Sequence, residues 1–84
     1  MRPWAIESAL REHLGPSNAV RVRVMGNSIY CTVTPKSGRP YTLRVEPDIM
    51  QFYGPWTEEG VVAYFVGEVE KLAATRGSSV ATGT

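Results

Sequence analysis

The side chains that could act as nucleophile or base are few: one histidine, His13, and one cysteine, Cys31. A thiol reacts as its thiolate and needs a neighbouring base or cation to become one. His13 falls on the apolar stripe of a helix, where a partly buried structural histidine is expected. Cys31 falls at an inward position of an alternating strand, where cysteine packs as a small hydrophobe. The carboxylates Glu46, Asp48, Glu58 and Glu59 do not follow the spacing of a calcium loop, and two of them suit the start of a helix. The sequence contains no phosphate-binding glycine loop, paired metal ligands or serine nucleophile elbow. These residues point away from an enzyme and call for no cofactor or metal.

Binding chemistry is better represented. From His13 to Val45 the ionised side chains are Arg21, Arg23, Lys36, Arg39 and Arg44; from Glu46 to Glu70 all six are acidic. Residues 1–12 balance, Lys71 and Arg76 follow, and the formal net charge is only +1. Charge sorted in this way steers a charged partner although the total is close to zero. Arginines around Tyr30 are what a single-stranded nucleic acid or an acidic protein surface could use, through phosphate contacts and base stacking.

Two further groups suit protein contact. The segment Met50, Phe52, Tyr53, Gly54, Pro55, Trp56 is rich in residues that dominate interface energetics. Phe52 and Trp56 are expected to pack, and Met50 and Tyr53 to be exposed. In the last helix Gly60, Ala63, Gly67 and Ala74 fall together on a 100° wheel, a smooth back that another helix could approach, in a homodimer or with a partner.

The elements that position these groups follow from local pattern. Pro3 opens a helix, Ile6, Leu10 and Leu14 recur at spacing four, and Gly15-Pro16 ends it. The runs Val20 to Val24 and Ile29 to Val33 alternate apolar and polar around Gly26-Asn27, a type II′ turn. That turn pairs Val24 with Ile29, Val22 with Cys31 and Val20 with Val33, leaving Arg21, Arg23 and Tyr30 on the other face. A loop at Lys36-Ser37-Gly38, with Gly38 left-handed, leads to a third strand at Tyr41 to Val45, so that Val33 faces Tyr41 and Cys31 faces Leu43. Ile49 to Tyr53 reads as a short fourth strand or a loop. Thr57 caps a helix whose stripe is Val62, Phe65, Val66, Val69, Leu72 and Ala73, ending at Gly77.

These elements imply an α+β two-layer sandwich in which helices cover one face of a three-stranded antiparallel meander, a single domain over residues 1–76 with a disordered tail over 77–84. The order resembles that of the double-stranded RNA-binding domain. That family opens its second helix with lysines that grip phosphate, whereas this chain has Glu58 and Glu59 there, so the likeness is one of order alone.

With 84 residues, such a domain buries only about 60% of the surface its unfolded chain exposes. The single cysteine excludes an intramolecular disulfide and suits a reducing compartment. No apolar run approaches the roughly 18 residues of a membrane span. The expected protein is thus cytoplasmic and non-enzymatic, a small interaction module of the regulator or inhibitor kind, as phages and mobile elements use. Arg21, Arg23, Arg44 and Tyr30 would orient its protein partner, and Met50, Tyr53 and Trp56 would anchor it. The alternative is a nucleic-acid binder using the basic sheet face.

Overall fold

Alternation in β1 (Asn18–Met25) and β2 (Ser28–Pro35) is converted into a two-faced hairpin by the turn at Gly26-Asn27. The computed structural model describes residues 1–83, with side-chain surroundings through Ala74. Gly26 has φ 60° and, among the described residues, no non-glycine residue has positive φ, which is the type II′ pattern. Val20 pairs with Val33, Val22 with Cys31 and Val24 with Ile29, as the turn requires. β3 (Tyr41–Val45) adds to the far side of β2 with Val33 opposite Tyr41 and Cys31 opposite Leu43. The sheet order is β1-β2-β3, antiparallel throughout.

The β2–β3 connection departs from expectation. Gly38 is not left-handed, because Thr34 and Pro35 continue the ladder with β1 and leave residues 36–40 to make a wider return. The Lys36 N–H donates to the Ser17 carbonyl at 2.8 Å and holds that return against the start of β1.

Helix α1 (Pro3–Leu14) begins with Pro3 in its first turn and ends where Gly15 takes φ 78°. It lies antiparallel to β1. Glu7 accepts the Val22 N–H at 2.9 Å and Arg11 reaches the Val20 carbonyl at 3.5 Å, with Glu7 and Arg11 paired at 2.9 Å. Four helical residues and two strand residues each span about 6 Å, so the two elements stay in step. These side chains also cover outward-facing backbone groups of an edge strand that would otherwise invite another chain.

The segment expected as a fourth strand or loop is a helical turn, α2 (Pro47–Met50), followed by turns to Trp56. Its i, i+4 hydrogen bonds from Met50 and Gln51 carry Met50 under the helix layer, where it is 1% exposed. Met50 is therefore a core residue, contrary to its expected exposure. Phe52 reverses in the opposite sense and is 79% exposed, since the same turn aims it away from the core. Trp56 is also more open than expected, at 37%.

Thr57 caps α3 (Glu58–Gly83), its hydroxyl accepting the Gly60 N–H at 3.0 Å. The helix passes through Gly77 and continues to Gly83, because a helical glycine costs only about 1 kcal/mol and no proline follows. The tail expected over 77–84 falls on residues whose side chains lie outside the described ones. α3 has α1 at its side as well as the sheet beneath it, so its buried arc turns toward Val61. Val61, Val62 and Phe65 are buried, Val66, Val69 and Leu72 are partly buried, and Ala73 is exposed where α3 outruns α1.

The result is an α+β sandwich with the core between sheet and helices. Ile6 and Leu10 of α1, Val20, Val22, Ile29, Cys31, Val33 and Val45 of the sheet, Met50 and the first two turns of α3 form one cluster. Each large apolar side chain sealed there contributes about 1.5–3 kcal/mol. Val24, expected in the core, is 40% exposed, because only the first turn of α1 lies level with it. Arg21 and Arg23 are exposed and Tyr30 is half-buried on the other face, as the register demands.

Replacing Gly26 by alanine should lower stability by about 1–2 kcal/mol, the cost of forcing a Cβ into positive φ. Urea denaturation measures this directly; D-alanine at the same position should remove the penalty. An unchanged midpoint for the L-alanine variant would mean that the turn is not what holds the register.

Candidate functional site

The surface has two unlike sides and one apolar end. On the outer sheet face the register forms rows across the strands: Arg23, Tyr30 and Arg44 in one, Arg21, Thr32 and Thr42 in the next. The Thr32 and Thr42 hydroxyls are 3.1 Å apart and hydrogen bonded. Among the described residues Arg21, Arg23, Lys36 and Arg39 have no carboxylate at ion-pair distance, whereas Arg44 meets Glu46 at 3.6 Å. The rest of the acidic block, Asp48 on α2 and Glu58, Glu59, Glu68 and Glu70 on α3, is in the helix layer, so apart from Glu46 the two charge blocks of the sequence lie on opposite sides of the sandwich.

On the helix side, α1 and α3 run in the same direction. Arg2, just before α1, meets Glu58 at the first turn of α3, and Ala5, Ala9 and His13 advance along the groove beside Glu59, Val62, Val66 and Glu70. This groove has a volume of about 580 Å³, an apolar floor and glutamates on its rim. His13 lines it and is exposed rather than partly buried, since α1 turns that side away from the sheet.

Parallel helices bring two positively polarised N-termini together, and Glu58 lies between them. Its carboxylate accepts the Arg2 backbone N–H at 2.7 Å and the Arg2 guanidinium through Nε and Nη2 at 3.0 and 2.8 Å. These charged bonds hold the Glu58 carboxyl down at about 2, well below its usual 4.5. The guanidinium also lies over the Trp4 ring, 4.9 Å from its centroid.

The residues of the smooth helix back separate. Gly60 faces inward on its own chain, because a Cβ there would strike the Pro55 carbonyl. Gly67 has open space, and Ala63 and Ala74 are exposed. Ala63 and Gly67 form a ridge between the α1/α3 groove and a second hollow bordered by Tyr53, Pro55 and Tyr64. Tyr53 is exposed as expected, but anchored: its ring meets Tyr64 edge-on at 5.0 Å, with Lys71 Nζ 5.9 Å from its centroid.

The site that sequence pattern did not disclose is at one end. The exposed large apolar side chains among the described residues are Met1, Trp4, Val24, Met25, Phe52, Tyr53 and Trp56. The step between α1 and β1 places Trp4 level with Val24 and Met25, and Arg2–Glu58 brings the start of α3 and the nearby Trp56 to the same place. The Ser28 hydroxyl donates to Glu46 at 3.3 Å, which draws the entry to α2 there as well. The starts of α1 and α3 and the tip of the hairpin thus lie at one end, where Met1, Trp4, Val24, Met25 and Trp56 are exposed, whereas Phe52 and Tyr53 follow α2, which packs on α3. Met50, one of the anchors expected from sequence, is sealed beneath it.

Cys31 is fully buried, and burial, reinforced by Glu7, pushes its thiol up to about 11. With His13 on the outer surface of α1, the two are not placed to form a nucleophile–base pair. Among the described residues no group of three or more His, Cys, Asp or Glu side chains could hold a metal ion, and no helix is long and apolar enough to cross a membrane.

No known protein family, curated protein or solved structure matches this chain. The reading of its site rests on its own geometry.

Two measurements follow. The depressed Glu58 carboxyl contributes stability that is complete above about pH 4.5 and is lost as pH falls through about 2. Glu58→Gln should remove that part of the acid dependence, which acid titration of both proteins followed by circular dichroism would show. Gly67→Ala should stabilise the fold by about 1 kcal/mol, whereas Gly60→Ala should destabilise it through the Pro55 carbonyl. Equal shifts in the two melting temperatures would contradict the placement of the Pro55 turn.

Proposed function

We propose that this protein is a non-enzymatic interaction module, a regulator or inhibitor that docks a protein partner with its apolar end and the adjoining α1/α3 groove. The observation that carries this reading is the number of large apolar side chains left exposed in so small a domain, Met1, Trp4, Met25, Phe52, Tyr53 and Trp56 among them. Trp, Tyr, Phe and Met are enriched in interfaces because they exclude much water at little entropic cost. The groove opens from the same end and continues the apolar surface between α1 and α3. Its glutamate rim and the arginines of the opposite face give the molecule an electrical orientation, which accelerates encounter and fixes the approach of a charged partner.

The reading also accounts for the placement of the reactive groups. A sealed Cys31 and an outward His13 suit a protein whose work is recognition. Nothing needs to move for a partner to reach Trp4 or Phe52, which are 64% and 79% exposed.

The test is capture from a lysate of the native host on immobilised protein, with the bound proteins identified by mass spectrometry. A double variant, Trp4→Ser with Phe52→Ser, should lose a specific partner by at least tenfold, since truncated hot-spot aromatics cost about 2 kcal/mol or more each. Arg23→Ala should retain it. Undiminished capture by a folded double variant would refute the apolar end as the docking site.

A further inference from the structure

We propose that the outer face of the sheet is a second, independent binding site, for single-stranded nucleic acid, with Tyr30 as the stacking platform and Arg21, Arg23 and Arg44 as phosphate contacts. The central strand carries Tyr30, and the register places Arg23 directly across from it on one side and Arg44 on the other. Directly opposed side chains in neighbouring strands have Cβ atoms about 4.5–5.5 Å apart, so both guanidinium groups can reach the perimeter of a base lying on the ring. Neither covers the ring in the free protein: the cation–ring contacts among the described residues are Arg2 on Trp4 and Lys71 on Tyr53.

The next row, two residues along the strands and about 6.7 Å away, offers Arg21 and the bonded Thr32–Thr42 hydroxyls. Beyond it, the exposed Lys36 and Arg39 extend the positive charge past the end of the strands. A strand crossing the face thus meets cation, ring and cation, then cation and hydroxyls, which is the alternation of phosphate and base that a single strand presents. A duplex keeps its bases stacked inside and offers Tyr30 no ring face, so an open sheet selects single strands.

Charge complementarity supports a phosphate ligand. Among the described residues Arg21 and Arg23 have no carboxylate at ion-pair distance, and the glutamates of α3 that would repel phosphate lie on the other side of the core. Only Glu46 borders the face, 3.6 Å from Arg44 and also bonded to Ser28, at the edge of the Tyr30 row. An acidic protein surface would satisfy the arginines equally well; what a single strand adds is a base stacked on the Tyr30 ring, which the Tyr30 variants below read out.

The test is fluorescence anisotropy of short labelled oligouridine and oligodeoxythymidine, titrated with the full chain at low salt and at rising potassium chloride. Binding should weaken steeply with salt. Arg23→Ala and Arg44→Ala should each flatten the log–log slope by about 0.7, one single-strand phosphate contact. Tyr30→Ala should weaken binding by about tenfold with the slope unchanged, and Tyr30→Phe, which keeps the ring, should restore it. The Trp4→Ser and Phe52→Ser variant should bind like wild type, which separates this site from the protein-docking end. Absence of binding at low salt would overturn the proposal. So would equal affinity for a duplex, or binding to polyglutamate and oligonucleotide alike with no effect of Tyr30→Ala, which would leave a charged surface suited to acidic proteins.

Discussion

The pairing of β1 with β2 is the constraint on which the remaining structure depends. Because side chains alternate along a strand, a slip of one residue would exchange the faces, burying Arg21, Arg23 and Tyr30 and exposing Val20, Val22 and Cys31. Burying unpaired guanidinium groups is far more costly than the few kcal/mol that hold a domain of this size together. Gly26 in positive φ suits the type II′ two-residue connection, so turn geometry and hydrophobic pattern select the same register. β3 then inherits its faces from β2, and the helices have one apolar surface on which to settle.

That surface determines how the helices are arranged. α1 keeps step with β1 through Glu7 and Arg11, and α3 lies beside it in the same direction, which sets two helix N-termini side by side. Glu58 offsets the resulting positive field and is satisfied by Arg2 from both its backbone and its side chain. The arrangement closes the middle of the sandwich more completely than its end. Two helix starts and a hairpin tip lie there, and the large apolar side chains they carry remain in water.

The molecule therefore presents surfaces of different chemistry that do not compete for the same residues. The apolar end and groove suit a protein, through burial of area. In the proposed reading the sheet face takes a polyanion through Arg21 and Arg23, which have no ion-pair partner among the described residues, and Arg44 beside Tyr30. A two-layer sandwich separates them by the thickness of its core, and that separation lets charge of both signs be concentrated in a chain whose net charge is only +1.

Much of this was legible in the sequence wherever the deciding interactions are local. Turn chemistry at Gly26-Asn27, period-two alternation, Pro3 at a helix start and Thr57 as a cap act over a few residues, and they determined the hairpin, its register, the basic face and where the helices begin. The tertiary structure decided what depends on which element covers which. Met50 is buried and Phe52 exposed because a helical turn, not a strand, carries them across the helix layer. Val61 joins the core and Ala73 leaves it because α1 rotates the buried arc of α3 and stops short of its end. Gly60 serves its own chain because the Pro55 turn folds onto it. The apolar end is assembled from segments distant in sequence, none of which carries a motif, so no local pattern could announce it; it exists only because long-range contacts such as Arg2–Glu58 bring those segments to one place.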